Sequence, residues 1–254
     1  MNSETHRPTQ LVSDDQLMSA SDFDRHVLLL GVAHPQISAG VRQTTLSPSF
    51  LADLDRFEHG AGVEPLDVLA ACVRHGRPLV LFLELVGRVM PLRLFPAQAL
   101  FACTADMLGM PDAHVRELRF VRVEPGMHYS APEAQDSEAA RAFTGPLPLL
   151  LWRMALHGQR WEPLPEIDGR ACYRVSPVLA IKLLPADDAE AEVLRRLKRR
   201  ALALDDIAAE PRMGIERACR LLNAVYLQAG LITLRAASAA RYSALRQALG
   251  TAGR

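Results

Sequence analysis

The residues of this chain that could carry acid–base chemistry are histidine and glutamate, which occur at matching positions in two related segments. Residues 64–100 and 145–181 both run Pro-Leu, an apolar stretch, His-Gly, Glu-x-x-Gly-Arg, and then Arg-apolar-x-Pro-x-x-Ala-apolar. A histidine in the last turn of a helix also interacts favourably with the free carbonyl groups there. We therefore assign His75 and His157 a capping role in preference to a catalytic one.

A glutamate and an arginine flank the predicted turn in each copy of this repeat. Glu84 with Arg88, and Glu166 with Arg170, are spaced to form ion pairs across a hairpin. Exposed pairs of this kind contribute little to stability. An arginine beside such a turn is alternatively a contact for a partner protein, and the candidate partner-binding residues are Arg88, Arg93 and Arg170.

Sequence motifs of known catalytic chemistry are absent. The chain contains no GxSxG, no HExxH, no P-loop and no glycine fingerprint for dinucleotides. Its cysteines show neither CxxC spacing nor a histidine at ligand spacing; they are Cys72, Cys103, Cys172 and Cys219. We predict reduced core thiols, no catalytic residues, no metal and no cofactor, and we keep an uncharacterised enzyme as the third of three hypotheses.

The charge of the chain is unevenly distributed. Lys plus Arg and Asp plus Glu each number 29 over the whole sequence. Residues 1–192 carry 17 basic and 25 acidic side chains, whereas residues 193–254 carry 12 basic and 4 acidic ones. Such a basic end is typical of a nucleic-acid-binding segment or of a docking surface for an acidic partner. It is equally consistent with attraction between the two parts of the chain.

Length and composition indicate a globular protein of one large domain or two ordinary ones, since the chain has 254 residues of which 49% are hydrophobic and 23% charged. The longest apolar runs, residues 78–85 and 147–152, are far shorter than the roughly 20 residues that span a bilayer. We therefore expect no membrane insertion.

Residues 1–25 are polar and lack the apolar core of a secretory signal. They predict a disordered tail and a cytoplasmic protein.

The elements that must position these side chains begin with a helix. Ser47-Pro48 is an N-cap followed by proline at the first helical position, and the helical spacing stops at Gly60. In the first copy of the repeat a helix ends at His75-Gly76, and β-rich runs at 79–85 and 88–95 predict a hairpin. Pro91 within the second run predicts an edge strand or a bulge.

The second copy differs from the first in its predicted hairpin. Asp168-Gly169 at the turn is a strong hairpin signal, but Pro163 and Pro165 interrupt the first strand. We expect this copy to be rich in loops. The remaining predicted elements of region 26–185 are a strand at His26–Val32, a short helix at 112–118, a strand at 120–123 and a linker at Ser130–Ala140.

Residues 186–254 show the element order of a winged helix. Helical patterns at 193–197, 204–208 and 215–229 precede a strand-like run at 231–234, and Ala239–Leu249 predicts a terminal helix. The third helix would then be the recognition helix. Its predicted outward positions are Glu216, Arg217, Arg220, Asn223 and Gln228.

Arginine and asparagine are suitable for reading base edges, and arginines on the first helix could meet phosphates. The candidate nucleic-acid-binding residues are Arg195, Arg199, Arg217, Arg220 and Asn223. A solvated helix face explains the same pattern, because Glu216 and Arg220 stand at the i,i+4 spacing of an ordinary helical ion pair.

Several short motifs of the first copy follow one another in a recognisable order: Pro65-Leu66-x-x-Leu69, His75-Gly76-Arg77, Leu79-x-Leu81, Gly87-Arg88 and Leu100-x-Ala102. Together they resemble the bacterial PATAN domain, with its Leu-rich helix, short Gly turn and hairpin. The chain departs from the family pattern at Phe95-Pro96-Ala97, where an Asp-Gly turn is usual. Some PATAN proteins carry winged-helix-like tails with a Leu-x-x-Ile-Ala pattern, similar to Leu204–Ala208 here.

PATAN proteins are bacterial signalling components, commonly fused to receiver domains and linked to phototaxis, twitching or gliding. This chain shows no receiver pattern, so the resemblance implies a stand-alone adaptor that docks on signalling or pilus-motor proteins. We thus predict an α+β protein with two related helix–β-hairpin units in 26–185 and a winged-helix-like domain in 186–254. The alternative function is a winged-helix DNA-binding transcription regulator with an N-terminal sensing domain.

Overall fold

The computed structural model of the chain describes Met18, Ser19, Asp22, residues 47–126 and residues 142–235. The chain divides into two compact units, Met1–Leu147 and Pro148–Arg254. Some predictions fall outside the described residues: most of the tail over 1–25, the strand at His26–Val32, the linker at Ser130–Ala140 and the terminal helix at Ala239–Leu249.

Both units are mixed α+β with antiparallel sheets, as the sequence predicts. The described elements of the first unit are β1 (Met18–Ser19), α1 (Pro48–His59), α2 (Pro65–His75), β2 (Leu79–Leu85), β3 (Arg88–Phe95), β4 (Leu100–Cys103), α3 (Asp112–Glu117), β5 (Arg119–Pro125) and β6 (Phe143–Pro146). Those that follow are α4 (Leu147–His157), β7 (Ala171–Val175), α5 (Asp188–Arg199), β8 (Leu202–Ala203), α6 (Leu204–Ala208), α7 (Gly214–Leu227) and β9 (Leu231–Arg235).

The first unit is built on a sheet whose described strands run in the order β5-β2-β3-β4-β6, with β1 also paired to β3. Because side chains alternate along a strand, one face of β2 and β3 is entirely apolar. Its cross-strand pairs are Leu79 with Leu94, Leu81 with Leu92, and Leu83 with Met90. All six side chains are buried. Helix α2 packs against β2 and β5, and α1 packs against α2 and β5, so the core lies beneath these helices.

The predicted hairpin of the first copy is present as β2 and β3. Val86 and Gly87 form its turn with φ of 51° and 73°, which is the left-handed region that a two-residue hairpin turn requires. The expectation that Pro91 marks an edge strand is wrong, since β3 has neighbours on both sides. On one side β1 pairs with residues 88–89 and β4 with 92–95, so Pro91 lies in the gap between them. Proline has no N–H to donate, but in this gap no neighbouring strand is present to accept a hydrogen bond, so none is lost.

The second unit contains a three-stranded sheet in the order β8-β7-β9. The predicted helices and strand of the C-terminal segment are confirmed as α5, α6, α7 and β9. Tyr173 and Val175 of β7, and Leu202 of β8, point into the core. Most side chains of α7 are also buried, so this helix lies within the unit.

The second copy of the repeat forms a helix and a strand but no hairpin. Helix α4 and strand β7 stand where the first copy has α2 and β3, and residues 158–170 form turns and no strand. Pro163 and Pro165 account for the missing strand, because proline cannot donate to a ladder. Strand β7 pairs with β8 and β9 instead, which draws the second copy into the C-terminal unit. The division therefore falls after Leu147, well before the predicted boundary at 185.

Helices α1 and α2 are joined by a half-buried carboxylate. Asp53 of α1 accepts hydrogen bonds from Nε2 of His75 at 2.7 Å and from Arg74 at 2.5 Å, and Arg56 lies 3.4 Å away. The His75 ring also contacts Phe50, at 5.0 Å between ring centroids. His75 lies in the last turn of α2, which Gly76 caps at φ 59° as predicted. Its role is thus to link two helices as well as to end one.

Burial alone would raise the pKa of Asp53, but hydrogen bonds from His75 and Arg74 and the charges of Arg74 and Arg56 outweigh it, so the pKa lies below its ordinary value. A carboxyl whose pKa is lower in the folded chain stabilises the fold fully above its unfolded-state pKa, about 4. That stabilisation is lost as the pH falls through the folded-state value.

We predict that Asp53→Ala lowers the stability of the first unit at pH 7 by about 1–3 kcal/mol, because His75 and Arg74 lose their shared acceptor. Hydrogen exchange of the α1 and α2 amides, read by mass spectrometry, measures the loss. The difference from the unsubstituted chain should shrink below about pH 4.

The matched control is Asp55→Ala in the same helix. The side chain of Asp55 is 78% exposed and lies 3.3 Å from Nδ1 of His59, a side chain that is itself 72% exposed. This change should alter the exchange-derived stability by less than about 0.5 kcal/mol. Similar losses for both variants would show that Asp53 does not join the helices.

Candidate functional site

The helix predicted to read DNA, α7, has its polar face covered by the second copy of the repeat. Asn223 is 0% exposed. Its side-chain oxygen accepts the N–H of Leu164 at 2.8 Å, and its side-chain nitrogen donates to the carbonyl of Glu162 at 2.9 Å. Asn223 thereby satisfies two backbone groups of the loop at 158–170 and holds that loop on the helix.

Arg220 is likewise turned inward. The residue is 8% exposed, and its guanidinium donates to the carbonyl of Leu156 in α4 at 3.0 Å and pairs with Glu216 at 2.9 Å. The prediction that Arg220 and Asn223 face outward is therefore wrong. Helical spacing identifies a polar face, but it does not distinguish a face that meets solvent from one that meets neighbouring backbone.

Arg217 joins the first turn of α7 to the start of α5. Its guanidinium contacts the carboxylate of Asp187, the N-cap of α5, and binds Glu190 at 3.0 Å and the carbonyl of Arg212 at 3.1 Å. The backbone N–H of Glu190 holds the pKa of Asp187 below its ordinary value, and Arg217 lowers it further against the effect of burial. Arg217 is thus engaged within the unit.

A cleft of about 660 Å³ opens beside this cluster, lined by residues that include His157, Glu190, Glu216, Arg217 and Arg220. Its arginines are already paired with its carboxylates across distances near 3 Å. Because Asp187 also lines the cleft and shares Arg217 with Glu190, three carboxylates face two arginines and the cleft offers no cluster of positive charge to a ligand.

Two predicted nucleic-acid contacts do lie on the surface. Arg195 and Arg199 belong to the last turns of α5, where cations interact favourably with the helix C-terminus. The side chain of Arg195 is 54% exposed and lies 3.1 Å from Glu192, and Arg199 is exposed. The structure therefore separates the five candidates into three that hold the fold together and two that solvent reaches.

The predicted partner-binding arginines are divided between the two units. Arg88 begins β3 beside the hairpin turn, and Arg93 lies in the middle of β3 between Val80 of β2 and Ala102 of β4. Both are half-buried in the first unit, whereas Arg170 is exposed in the second unit just before β7.

The thiols of Cys72 and Cys103 are in environments that suppress reactivity. Burial raises the pKa of Cys72 to about 12 and, against weaker opposing hydrogen bonds, that of Cys103 to about 11. These thiols stay protonated at neutral pH, and the thiol form is a poor nucleophile.

Among the residues that the structure describes, no three His, Cys, Asp or Glu side chains form a group suited to a metal ion. Within the same residues, no helix has the length and apolar character to cross a membrane.

Sequence reasoning missed two exposed apolar side chains. Val178 is 89% exposed and Leu183 is 80% exposed, and both lie between β7 and α5. The signal that could have indicated them is the apolar run between Pro177 and Pro185, which follows neither a strand period nor a helix period. Val178 belongs to the predicted second copy at 145–181 and Leu183 follows that copy, and both lie after the end of β7.

Comparison of the chain with family models, with curated proteins and with solved structures finds no match. The function is therefore inferred from the chain's own geometry.

We predict that Asn223→Ala lowers the free energy of unfolding of the second unit by about 2–4 kcal/mol, because it strands the N–H of Leu164 and the carbonyl of Glu162 without partners. Both tryptophans of the chain, Trp152 and Trp161, belong to this unit. Tryptophan fluorescence during urea unfolding of the full chain therefore reports on it.

The matched control is Gln228→Ala in the residue that follows α7. Gln228 also donates an amide hydrogen bond, to the carbonyl of Pro148 at 2.9 Å, but at an exposed position where water can replace it. Its loss should cost less than about 1 kcal/mol. An Asn223 variant no less stable than this control would contradict the anchoring role.

Proposed function

We propose that this chain is a non-enzymatic regulator that acts by binding other proteins. The observation that carries the proposal is the enclosure of α7, whose Arg220 and Asn223 bond to the backbone of α4 and of the loop at 158–170. A helix held in this way serves as the core of a docking scaffold, and it is poorly placed to enter a major groove.

The C-terminal unit is, in this proposal, a modified winged helix. The order α5, β8, α6, α7, β9 is the helix–strand–helix–helix–strand order expected of that fold. Strand β7 lies between β8 and β9 in the sheet although it precedes α5 in the chain. This supports a structural unit whose sheet is completed by the second repeat copy.

The first unit supports the PATAN resemblance in its local order. Helix α2 carries the leucines of the motif, Gly76 ends it in the left-handed conformation, and β2 and β3 form the hairpin that follows. By this resemblance we propose a cytoplasmic bacterial signalling adaptor, with partners among signalling or pilus-motor components and a role in surface motility or pilus control.

The alternative is a DNA-binding transcription regulator with an N-terminal sensing domain. One observation favours it: Arg195 and Arg199 are exposed on the same side of α5, where they could meet phosphates. Contacts of this kind bind any sequence and weaken steeply with salt.

We expect the tagged full chain, recovered from its native host, to bring down a protein that can be purified and shown by sedimentation to re-form a complex of fixed stoichiometry. We expect duplex DNA to be retained only weakly and to be released near 0.15 M salt, a concentration at which the screening length is about 8 Å. Arg195→Ala/Arg199→Ala should remove the residual DNA binding.

Two results would decide against the adaptor. One is that no host protein forms a complex with the purified chain. The other is sequence-selective DNA binding that persists near physiological salt and is lost in the double arginine variant, which would favour the transcription regulator.

A further inference from the structure

The segment between β7 and α5 presents apolar side chains to solvent on a fixed backbone. Val178 and Leu183 are 89% and 80% exposed. The N–H of Ser176 donates to the carbonyl of Gly230 at 2.8 Å, and that of Leu183 donates to the carbonyl of Ala180 at 2.9 Å. Because the backbone on which they stand is already ordered, binding through them would cost little conformational entropy.

Leu179 anchors the same segment from within. It lies against Gly230, where a Cβ would stand only 2.6 Å from a Leu179 methyl carbon. Glycine at 230 therefore lets the side chain of Leu179 approach the backbone before β9. With Leu179 directed inward, the neighbouring Val178 is directed outward.

Cations accompany the two exposed apolar side chains, one in direct contact with the backbone beside Val178 and others adjacent along the chain. The ammonium group of Lys198 donates to the carbonyl of Pro177 at 3.2 Å, which places it beside Val178. Lys182 is exposed next to Leu183, and Arg199 is exposed next to Lys198. We name the set Val178, Lys182, Leu183, Lys198 and Arg199 the Val178–Leu183 surface.

The charge at this end of α5 is predominantly positive. The nearest acid along the helix, Glu192, is already shared by Arg195 at 3.1 Å and Arg196 at 3.5 Å. Lys182, Lys198 and Arg199 are not matched by any carboxylate in the ion pairs of the described residues. The Val178–Leu183 surface therefore combines two fixed aliphatic anchors with uncompensated positive charge.

We propose that the Val178–Leu183 surface docks an acidic segment of a partner protein that carries apolar side chains. Aliphatic contact gives such a site its affinity, and complementary charge gives it selectivity and a fast on-rate. Duplex DNA would use the cations and leave the aliphatic groups without partners. A bilayer is bound by broader apolar faces than one of two aliphatic side chains. The inference rests on the proposed protein-binding function and specifies its partner.

The test uses the purified full chain and a fluorescein-labelled helical peptide of Glu and Leu, with binding followed by fluorescence anisotropy. We expect the peptide to bind and its affinity to fall as salt is raised from about 0.05 to 0.5 M. Val178→Glu/Leu183→Glu should weaken binding about tenfold or more, since it removes the apolar contact and adds repulsion. Lys198→Glu/Arg199→Glu should weaken it severalfold and remove most of the salt dependence.

Each variant has a matched control. Val86→Glu alters a valine that is 79% exposed in the first unit, and it should leave peptide affinity unchanged. Arg116→Glu/Arg212→Glu reverses two exposed charges elsewhere and should do the same. A peptide with Lys in place of Glu should not bind the unsubstituted chain. Tryptophan fluorescence during urea unfolding checks that every variant in the second unit remains folded.

The proposal is overturned if the Glu/Leu peptide fails to bind, if the Lys/Leu peptide binds equally, or if the controls weaken binding as much as the surface variants. It is also overturned if the chain binds phosphatidylglycerol vesicles or duplex DNA and Val178→Glu/Leu183→Glu abolishes that binding and leaves peptide binding unchanged. If the apolar variant still recovers the host partner, this surface is wrong while the protein-binding function stands. If the unsubstituted chain recovers no host protein, the proposed function fails independently of the peptide result.

Discussion

The second unit depends on the two hydrogen bonds that the Asn223 side chain makes to the backbone. This side chain replaces the strand partner that the loop at 158–170 lacks, because its amide satisfies one donor and one acceptor of that loop in the core. With the loop held in place, α7 is enclosed by elements from both ends of the unit. The same amide that could have contacted a base is used up in the fold, so any binding surface of this unit must lie elsewhere.

Part of the positive charge of the C-terminal segment is used within the fold in the same way. Arg196 pairs with Glu192 and Glu210, Arg217 with Asp187 and Glu190, and Arg220 with Glu216. The pairs of Arg196 with Glu210 and of Arg217 with Asp187 and Glu190 join separate segments of the unit, whereas the other two each lie within one helix. Among the described residues, exposed cations remain at the end of α5, where Lys198 contacts the backbone before Val178. The net charge of a segment thus overstates the charge that a partner can meet.

The two copies of the repeat show how one pattern gives different structures. In the first copy the leucine-rich strand β2 pairs with β3 across the Val86-Gly87 turn, and the two strands form the centre of a sheet. In the second copy the prolines remove the first strand, so β7 takes other partners and the hairpin signal of Asp168-Gly169 is not realised. His75 links two helices through Asp53. The duplication therefore preserves a helix and a strand, and its remaining positions serve local packing.

Local chemistry in the sequence determined where helices and strands begin and end. Ser47-Pro48 starts α1, Gly76 ends α2, and the order of α5, α6, α7 and β9 follows from apolar periodicity, because caps and periods act over a few neighbouring residues. Only the tertiary structure decided the partners. The exchange of β7 into the C-terminal sheet, the burial of Arg220 and Asn223, and the exposure of Val178 and Leu183 all depend on residues distant in the chain. A periodic pattern shows that a helix has two faces, but which face meets water is decided by the elements that pack on it.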